Sequence, residues 1–208
     1  MHDFFTLLGR GLGATAIGRK GIASIYCYKN SMLEQNILGI RFQNPIGLSA
    51  GFDKNAVLPH IISSLGFGFE EAGSITGEPC EGNPKPRLWR LPESKGLVIY
   101  YGLKNDGCEV IEQRLHGQHF SIPLGISVAK TNNAATVDTD AGIADYEKAF
   151  RTLHHIADYV TVNISCPNAF GGEPFTDPER LELLLSRLDH IETSKPVFVK
   201  LSPDLSID

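Results

Sequence analysis

Tyr159-Val160-Thr161-Val162-Asn163-Ile164-Ser165-Cys166-Pro167-Asn168 is the stretch whose reading decides the fold. It opens as a β-branched run of the kind that forms a strand buried on both faces. It closes on two asparagines bracketing a cysteine, and Pro167 stops further ladder hydrogen bonding. Carboxamides and a thiol are poor core material. In barrels of alternating parallel strands and helices, the carboxyl end of a strand is where chemistry sits. Cys166 alone reads better as a small buried hydrophobe before an Asx-type turn. The whole Asn-x-x-Cys-Pro-Asn group, taken with the segments before it, favours a site.

Downstream, Asp177-Pro178 supplies an N-cap and first-turn proline for a helix over 177–191, whose leucine stripe is Leu181, Leu184, Leu185 and Leu188. A last strand is predicted over 196–201. Upstream, the pattern predicts a helix over 144–157, a buried strand over 122–130, and a turn at 102–107 leading into a helix that ends near Leu115. Residues 87–92 and 96–101 read as a hairpin on the rim, after a Pro/Gly-rich excursion over 77–86. A strand over 68–76 follows a helix over 56–65 that Gly66 stops. Two short strands come first, over 36–42 and 46–51.

Strands alternating with helices mean a parallel α/β architecture. Polar residues recur just past successive strand ends: Lys54, Ser74, Ser127, Asn163 with Cys166, and Lys200. That recurrence fits a (β/α)8 TIM barrel with one active face. About five of the eight strands can be counted, and such barrels run to about 250 residues, so an incomplete barrel is expected. An open doubly wound sheet is the runner-up, weakened because no Gly-x-Gly-x-x-Gly turn follows the first strand. Residues 1–35 form a separate helical segment and 36–208 the barrel portion. Over residues 1–30, apolar clusters mix with basic residues and glycines. They read either as an amphipathic surface for a membrane or hydrophobic partner, or as a helix closing the bottom of the domain.

Of the 208 residues, 42% are hydrophobic and 21% charged, which is ordinary for a globular protein. A net charge of −5 argues against nucleic acid as a partner. Cys27, Cys80, Cys108 and Cys166 are scattered, giving neither a zinc pattern nor a disulfide framework, and no metal site is expected. No apolar run reaches the roughly 18 residues of a membrane span. A cytoplasmic protein is expected, peripheral on the cytoplasmic membrane if residues 1–30 bind it.

The chain resembles the dihydroorotate dehydrogenase family from about residue 36 onward. The landmarks are Asn44-Pro45-x-Gly47-Leu48-x-Ala50-Gly51-x-Asp53-Lys54 and Gly82-Asn83-Pro84-x-Pro86-Arg87-Leu88-x-Arg90-Leu91, then Asn163-x-Ser165-Cys166-Pro167-Asn168 and Val199-Lys200-Leu201-x-Pro203-Asp204-Leu205. The resemblance implies FMN across the barrel mouth with dihydroorotate stacked on it, oxidised to orotate in pyrimidine biosynthesis. It makes Cys166 the base, with Lys54 and Lys200 as catalytic partners that raise its thiolate fraction. Ala50, Gly51, Lys54, Ser74, Ser127, Asn163 and Lys200 would bind the flavin. Lys54, Gly102, Leu103, Asn163 and Asn168 would bind substrate, and a loop over 169–175 would close above them.

The resemblance also divides. The rim hairpin is similar to that of the membrane-bound class that reduces quinone, whereas a cysteine base is similar to the soluble class, so quinone is one of two acceptors. Ile99 stands where the family has a substrate-binding asparagine, which costs on the order of 1–3 kcal/mol for the same substrate. Ser127 replaces a flavin-contacting asparagine, a milder change. Competing readings are a non-catalytic remnant, a flavin enzyme acting on another dihydropyrimidine, and a dihydrouridine synthase, which the acidic charge disfavours.

Overall fold

The computed structural model describes residues 2–205. Two helices come first, α1 (His2–Gly13) and α2 (Ala16–Tyr26), the second capped by the Thr15 side chain accepting from the Gly18 N–H. A two-stranded ribbon follows, β1 (Gln35–Ile37) with β2 (Ile40–Phe42), antiparallel. The expected single strand over 36–42 is therefore a hairpin. Leu38 and Gly39 both take positive φ (50° and 80°), the geometry of a tight turn, and the apolar run disguises it.

The central sheet is parallel and five-stranded, in the order β3 (Gly47–Leu48), β4 (Phe69–Ile75), β7 (Leu124–Val128), β8 (Tyr159–Asn163) and β9 (Val197–Lys200). Between β4 and β7 the chain makes the rim hairpin, β5 (Leu88–Leu91) with β6 (Gly96–Ile99). Helices alternate with the strands: α3 (Pro59–Ile62), α4 (Cys108–Leu115), α5 (Thr139–Leu153) and α6 (Pro178–Asp189). Asp138 caps α5 and Asp177 caps α6, each by side-chain acceptance of first-turn N–H groups. This is the α/β arrangement of a partial TIM barrel.

Two corrections concern helices. The helix expected over 56–65 is only α3 and one 3-10 turn, Ser63–Leu65. Ala56 has φ +49°, and the buried Asp53 carboxylate accepts the Leu58 N–H at 2.6 Å, so a tertiary contact holds 53–58 out of the helix. The helix expected from 144 instead starts at Thr139, where Asp138 caps it.

Side-chain alternation sorts the sheet into two faces. Val160 and Val162 of β8 point into the core between sheet and helices, with Ile126, Val128, Phe150, Leu153 and Leu184. Thr161 and Asn163 point the other way. α1 and α2 pack on α3 and the 3-10 turn after it, and Leu12 and Ile22 join a small cluster with Leu58, Ile61 and Ile62. α1 also shares a cavity with Lys54 and Tyr101 beside the carboxyl-end loops, while the end of α2 reaches Ser63 and Gly66, just before the amino end of β4. Among the described residues, no helix is long and apolar enough to cross a membrane.

Candidate active site

Parallel register places Asn163 opposite Lys200 at the carboxyl ends of β8 and β9, so both side chains reach the same level of the same face. On β4 the register shifts between Ala72 and Ile75. That shift turns Ser74 to the Asn163 side while Ile75 stays in the core. The result is a cavity of about 290 Å³ at the sheet's carboxyl end. Its walls include Ala50, Gly51, Lys54, Ser74, Gly102, Leu103, Asn163, Cys166, Asn168 and Lys200. Ten of the eleven residues expected at the site are thus brought together, from four strand ends and the hairpin's exit.

A hydrogen-bonded relay fixes the polar wall. Asn163 Nδ2 donates to Ser74 Oγ at 2.8 Å, and Ser74 Oγ shares a proton contact of 2.7 Å with Ser127 Oγ. Asn163 Oδ1 accepts from both the N–H and the Oγ of Ser165, each at 3.0 Å, and Lys200 Nζ donates to that same Ser165 Oγ. The buried Tyr146 hydroxyl donates to the Asn163 carbonyl at 2.8 Å. Ser127 itself is fully buried and does not line the cavity. It holds Ser74 from one layer behind.

Lys54 donates to the Gly51 carbonyl and rests 4.3 Å above the centre of the Tyr101 ring. Asn168 Nδ2 donates to the Ile99 carbonyl at 2.9 Å, tying the Cys166 loop to the rim hairpin. Asn83 Nδ2 donates to the Asn168 carbonyl, and Asn132 Nδ2 donates in turn to Asn83 Oδ1, both at 2.9 Å.

Cys166 is half-buried, and burial pushes its thiol above the ordinary cysteine value. Glu173 adds to that rise, while the Asn168 N–H, Lys200 and Lys130 work against it without overcoming it. The expectation that cations raise the thiolate fraction therefore needs correcting: burial wins, and the resting group is a thiol.

Two residues missed in the sequence belong here. Lys130, buried just past β7, donates to the Phe170 carbonyl at 2.7 Å and so anchors the 169–175 loop against the sheet. Glu71 lines the cavity and accepts from Thr161 Oγ1 at 3.0 Å. Burial raises its pKa, and the Thr161 hydrogen bond and Lys200 charge oppose the rise. The signal for Lys130 was its place after a strand end, shared with every other site residue. For Glu71 it was strand alternation, since one of two adjacent glutamates must face inward.

The dihydroorotate dehydrogenase family profile matches residues 32–208. The chain belongs to this family. A dihydroorotate dehydrogenase (quinone) of Nostoc sp. is 44% identical over 182 residues, which cover 86% of this chain and 48% of that protein. One of Natronomonas pharaonis is 38% identical over 197 residues, covering 94% and 55%. The chain thus spans about half the length of the curated relatives it matches. The crystal structure of DHODH from Eimeria tenella in complex with ferulenol superposes with a TM-score of 0.82 at 28% identity, covering 99% of this chain and 59% of that one. The expected fold class and family therefore stand.

Proposed function

We propose that this dihydroorotate dehydrogenase family chain carries the substrate side of an FMN-dependent oxidation of dihydroorotate to orotate. One observation carries the reading. A thiol and two carboxamides from the end of β8 share a cavity with lysines from the ends of β3 and β9.

The residues present fit the ring end of a flavin. A Cβ built on Gly51 would meet no atom within 4 Å, so beside Ala50 the wall is open backbone that a flat ring can approach. Asn163, Ser74 and Lys200 offer amide, hydroxyl and ammonium groups to the polar edge of such a ring. FMN, when bound, supplies the acceptor for the electron pair leaving the substrate. The chain's own part is proton handling and orientation. Cys166 Sγ takes the proton from the substrate carbon beside a carbonyl, and it does so as the minor thiolate form. Asn163 and Asn168 orient the ring through its amide edges. Lys54 offers an ammonium to the substrate carboxylate, and Lys200 provides a fixed positive charge on the flavin-facing wall. The loop over 169–175, held by Lys130, keeps water from the thiol.

Quinone is the acceptor we favour, because the relatives reported above are named for it. A second cavity of about 930 Å³ supports this. It lies between α1 and the rim hairpin, with an apolar wall of Leu7, Phe52, Val57, Pro86 and Leu88 facing basic residues that include Arg10, Lys85, Arg87 and Arg114, and it shares Lys54 and Tyr101 with the active-site cavity. The exposed Phe4, Phe5, Leu7 and Leu8 of α1 suit a membrane surface from which a quinone would enter.

A second reading keeps the chemistry and changes the ring. Ile99 lines the cavity and offers only its backbone carbonyl, which Asn168 already occupies, so a related dihydropyrimidine with fewer hydrogen-bonding groups fits that corner.

The test is anaerobic addition of dihydroorotate to the FMN-loaded protein containing this chain. Flavin absorbance bleaches in the native protein and not in C166A. An unchanged native spectrum removes dihydroorotate as substrate, and bleaching by a different dihydropyrimidine supports the second reading.

A further inference from the structure

We propose that Glu112, His116 and His155 form a surface site for a divalent transition-metal ion of the zinc class, one that pins α4 to the end of α5. None of the three takes part in the active-site cavity, and their side chains converge from separate segments. Glu112 lies in the last turn of α4 and His116 is the residue that caps it, four positions on, its N–H donating to the Glu112 carbonyl. His155 follows the last turn of α5, delivered by the tertiary fold.

The geometry resembles a ligand set. Glu112 Oε1 lies 3.0 Å from His116 Nδ1 and 3.6 Å from His155 Nε2. The three atoms all fall within 4.8 Å of one another. Ligand atoms about 2.0–2.1 Å from a tetrahedral zinc ion are about 3.3–3.4 Å apart, so the two measured separations bracket the requirement. One carboxylate oxygen and two imidazole nitrogens form a neutral-plus-anionic donor set that suits zinc, cobalt or nickel over calcium or magnesium. The outer face of the cluster is open, which leaves a fourth position for water. His155 is backed by His154, whose ring meets it edge-on at 5.9 Å and stacks on Phe150 at 5.6 Å. That stack limits the ring positions available to His155, as ligating histidines require.

The site is placed where a cross-link has something to join. At the other end of the same seam Lys148 of α5 bridges Glu109 of α4 at 3.2 Å and Glu78 at 2.6 Å. A metal ion would provide the matching tie at the carboxyl end of both helices. The absence of any cysteine pattern hid this site in the sequence, because 39 positions separate His155 from His116.

The alternative is a pair of ordinary ion pairs to Glu112, and cobalt(II) distinguishes the two. Titrated anaerobically into untagged protein, Co²⁺ gives one saturating d–d absorption per chain, with no thiolate charge-transfer band, and Zn²⁺ displaces it. H155A and E112Q each reduce the affinity at least tenfold while leaving the far-ultraviolet circular dichroism unchanged. Zn²⁺ raises the Tm of the native protein and not that of H155A. A cobalt spectrum dominated by thiolate charge transfer, affinity unchanged in H155A and E112Q, or no saturable binding at all would each overturn the proposal. H116A, which removes a more exposed side chain, serves if either other variant fails to fold.

Discussion

Glu70 and Glu71 are neighbours on β4 and point to opposite faces of the sheet, and their fates differ. Glu71 faces the cavity, where Thr161 donates to it and Lys200 offsets part of its burial. Glu70 faces the helix layer beside Ala72, is 1% exposed, and neither of its carboxylate oxygens has a hydrogen-bond partner. Burial, reinforced by the nearby Asp53 charge, pushes its carboxyl up to about 9. Asp53, whose Oδ2 accepts the Leu58 N–H, lies close enough to favour the protonated form of Glu70 by charge and by hydrogen bonding to it. At this pair of positions one face of the sheet gives the carboxylate a hydrogen-bond donor and the other does not. The first is organised for chemistry, and the second carries a cost in stability.

The largest effect expected from breaking this contrast is on the chemical face. C166A lowers turnover by about 10²–10⁴-fold, the range for removing a positioned base, with little change in Tm. Because burial raises the Cys166 pKa, kcat climbs with pH through neutrality and levels off only above the ordinary cysteine range. A stopped-flow pH profile of flavin reduction checks this. A flat profile between pH 6 and pH 9 would remove Cys166 as the base.

The next largest effect is on the opposite face and has no catalytic counterpart. Glu70→Leu stabilises the protein by about 3 kcal/mol at pH 7. The sign follows from linkage. Below about pH 4.5 the carboxyl is neutral in both folded and unfolded chains, and the native state bears no ionisation penalty. From there to about pH 9 the unfolded chain releases a proton that the folded chain keeps, so native stability falls as pH rises. The Leu variant's advantage is therefore small at pH 5 and large at pH 8. Urea unfolding at the two pH values measures it, and equal gains at both would show that Glu70 ionises freely.

This pair also marks how far the sequence could be read. The β-branched runs of β7 and β8, the Asp177-Pro178 cap of α6 and the polar residues after strand ends were legible because each is a local pattern with one outcome. Those patterns put Lys54, Ser74, Asn163, Cys166 and Lys200 at one end of the sheet, and the family resemblance supplied the remaining wall residues, Gly102 and Leu103 among them. Two adjacent glutamates on a strand announce that one must face each side, but not which side offers a partner. The loop at 53–58 defied helical spacing because the Asp53–Leu58 hydrogen bond and the positive φ of Ala56 are set by packing. Lys130 reads in sequence as the last residue of the strand over 122–130, whereas it lies past the end of β7, buried under the loop it anchors.

A smaller effect sharpens the comparison within the cavity. Ile99 leaves one corner without a side-chain amide, so Ile99→Asn lowers the KM for dihydroorotate by about tenfold, the equivalent of one added hydrogen bond. A KM that rises instead, with a fall for another dihydropyrimidine in the native protein, would assign the corner to that other ring.

The smallest effect separates lining a site from supporting it. Ser74 and Ser127 share one hydrogen bond, yet only Ser74 reaches the cavity. Removing the Ser127 hydroxyl leaves Ser74 Oγ with its contact from Asn163 Nδ2, so the polar wall keeps its shape. Ser127→Ala therefore costs about 1 kcal/mol of stability, the net value of one buried hydrogen bond, and changes kcat and flavin affinity by less than about threefold. Ser74→Ala removes the acceptor that positions Asn163, and weakens FMN binding more than it lowers Tm. If fluorescence titration finds the two variants equally impaired in FMN binding, Ser127 touches the flavin directly, and the layer assigned to it here is wrong.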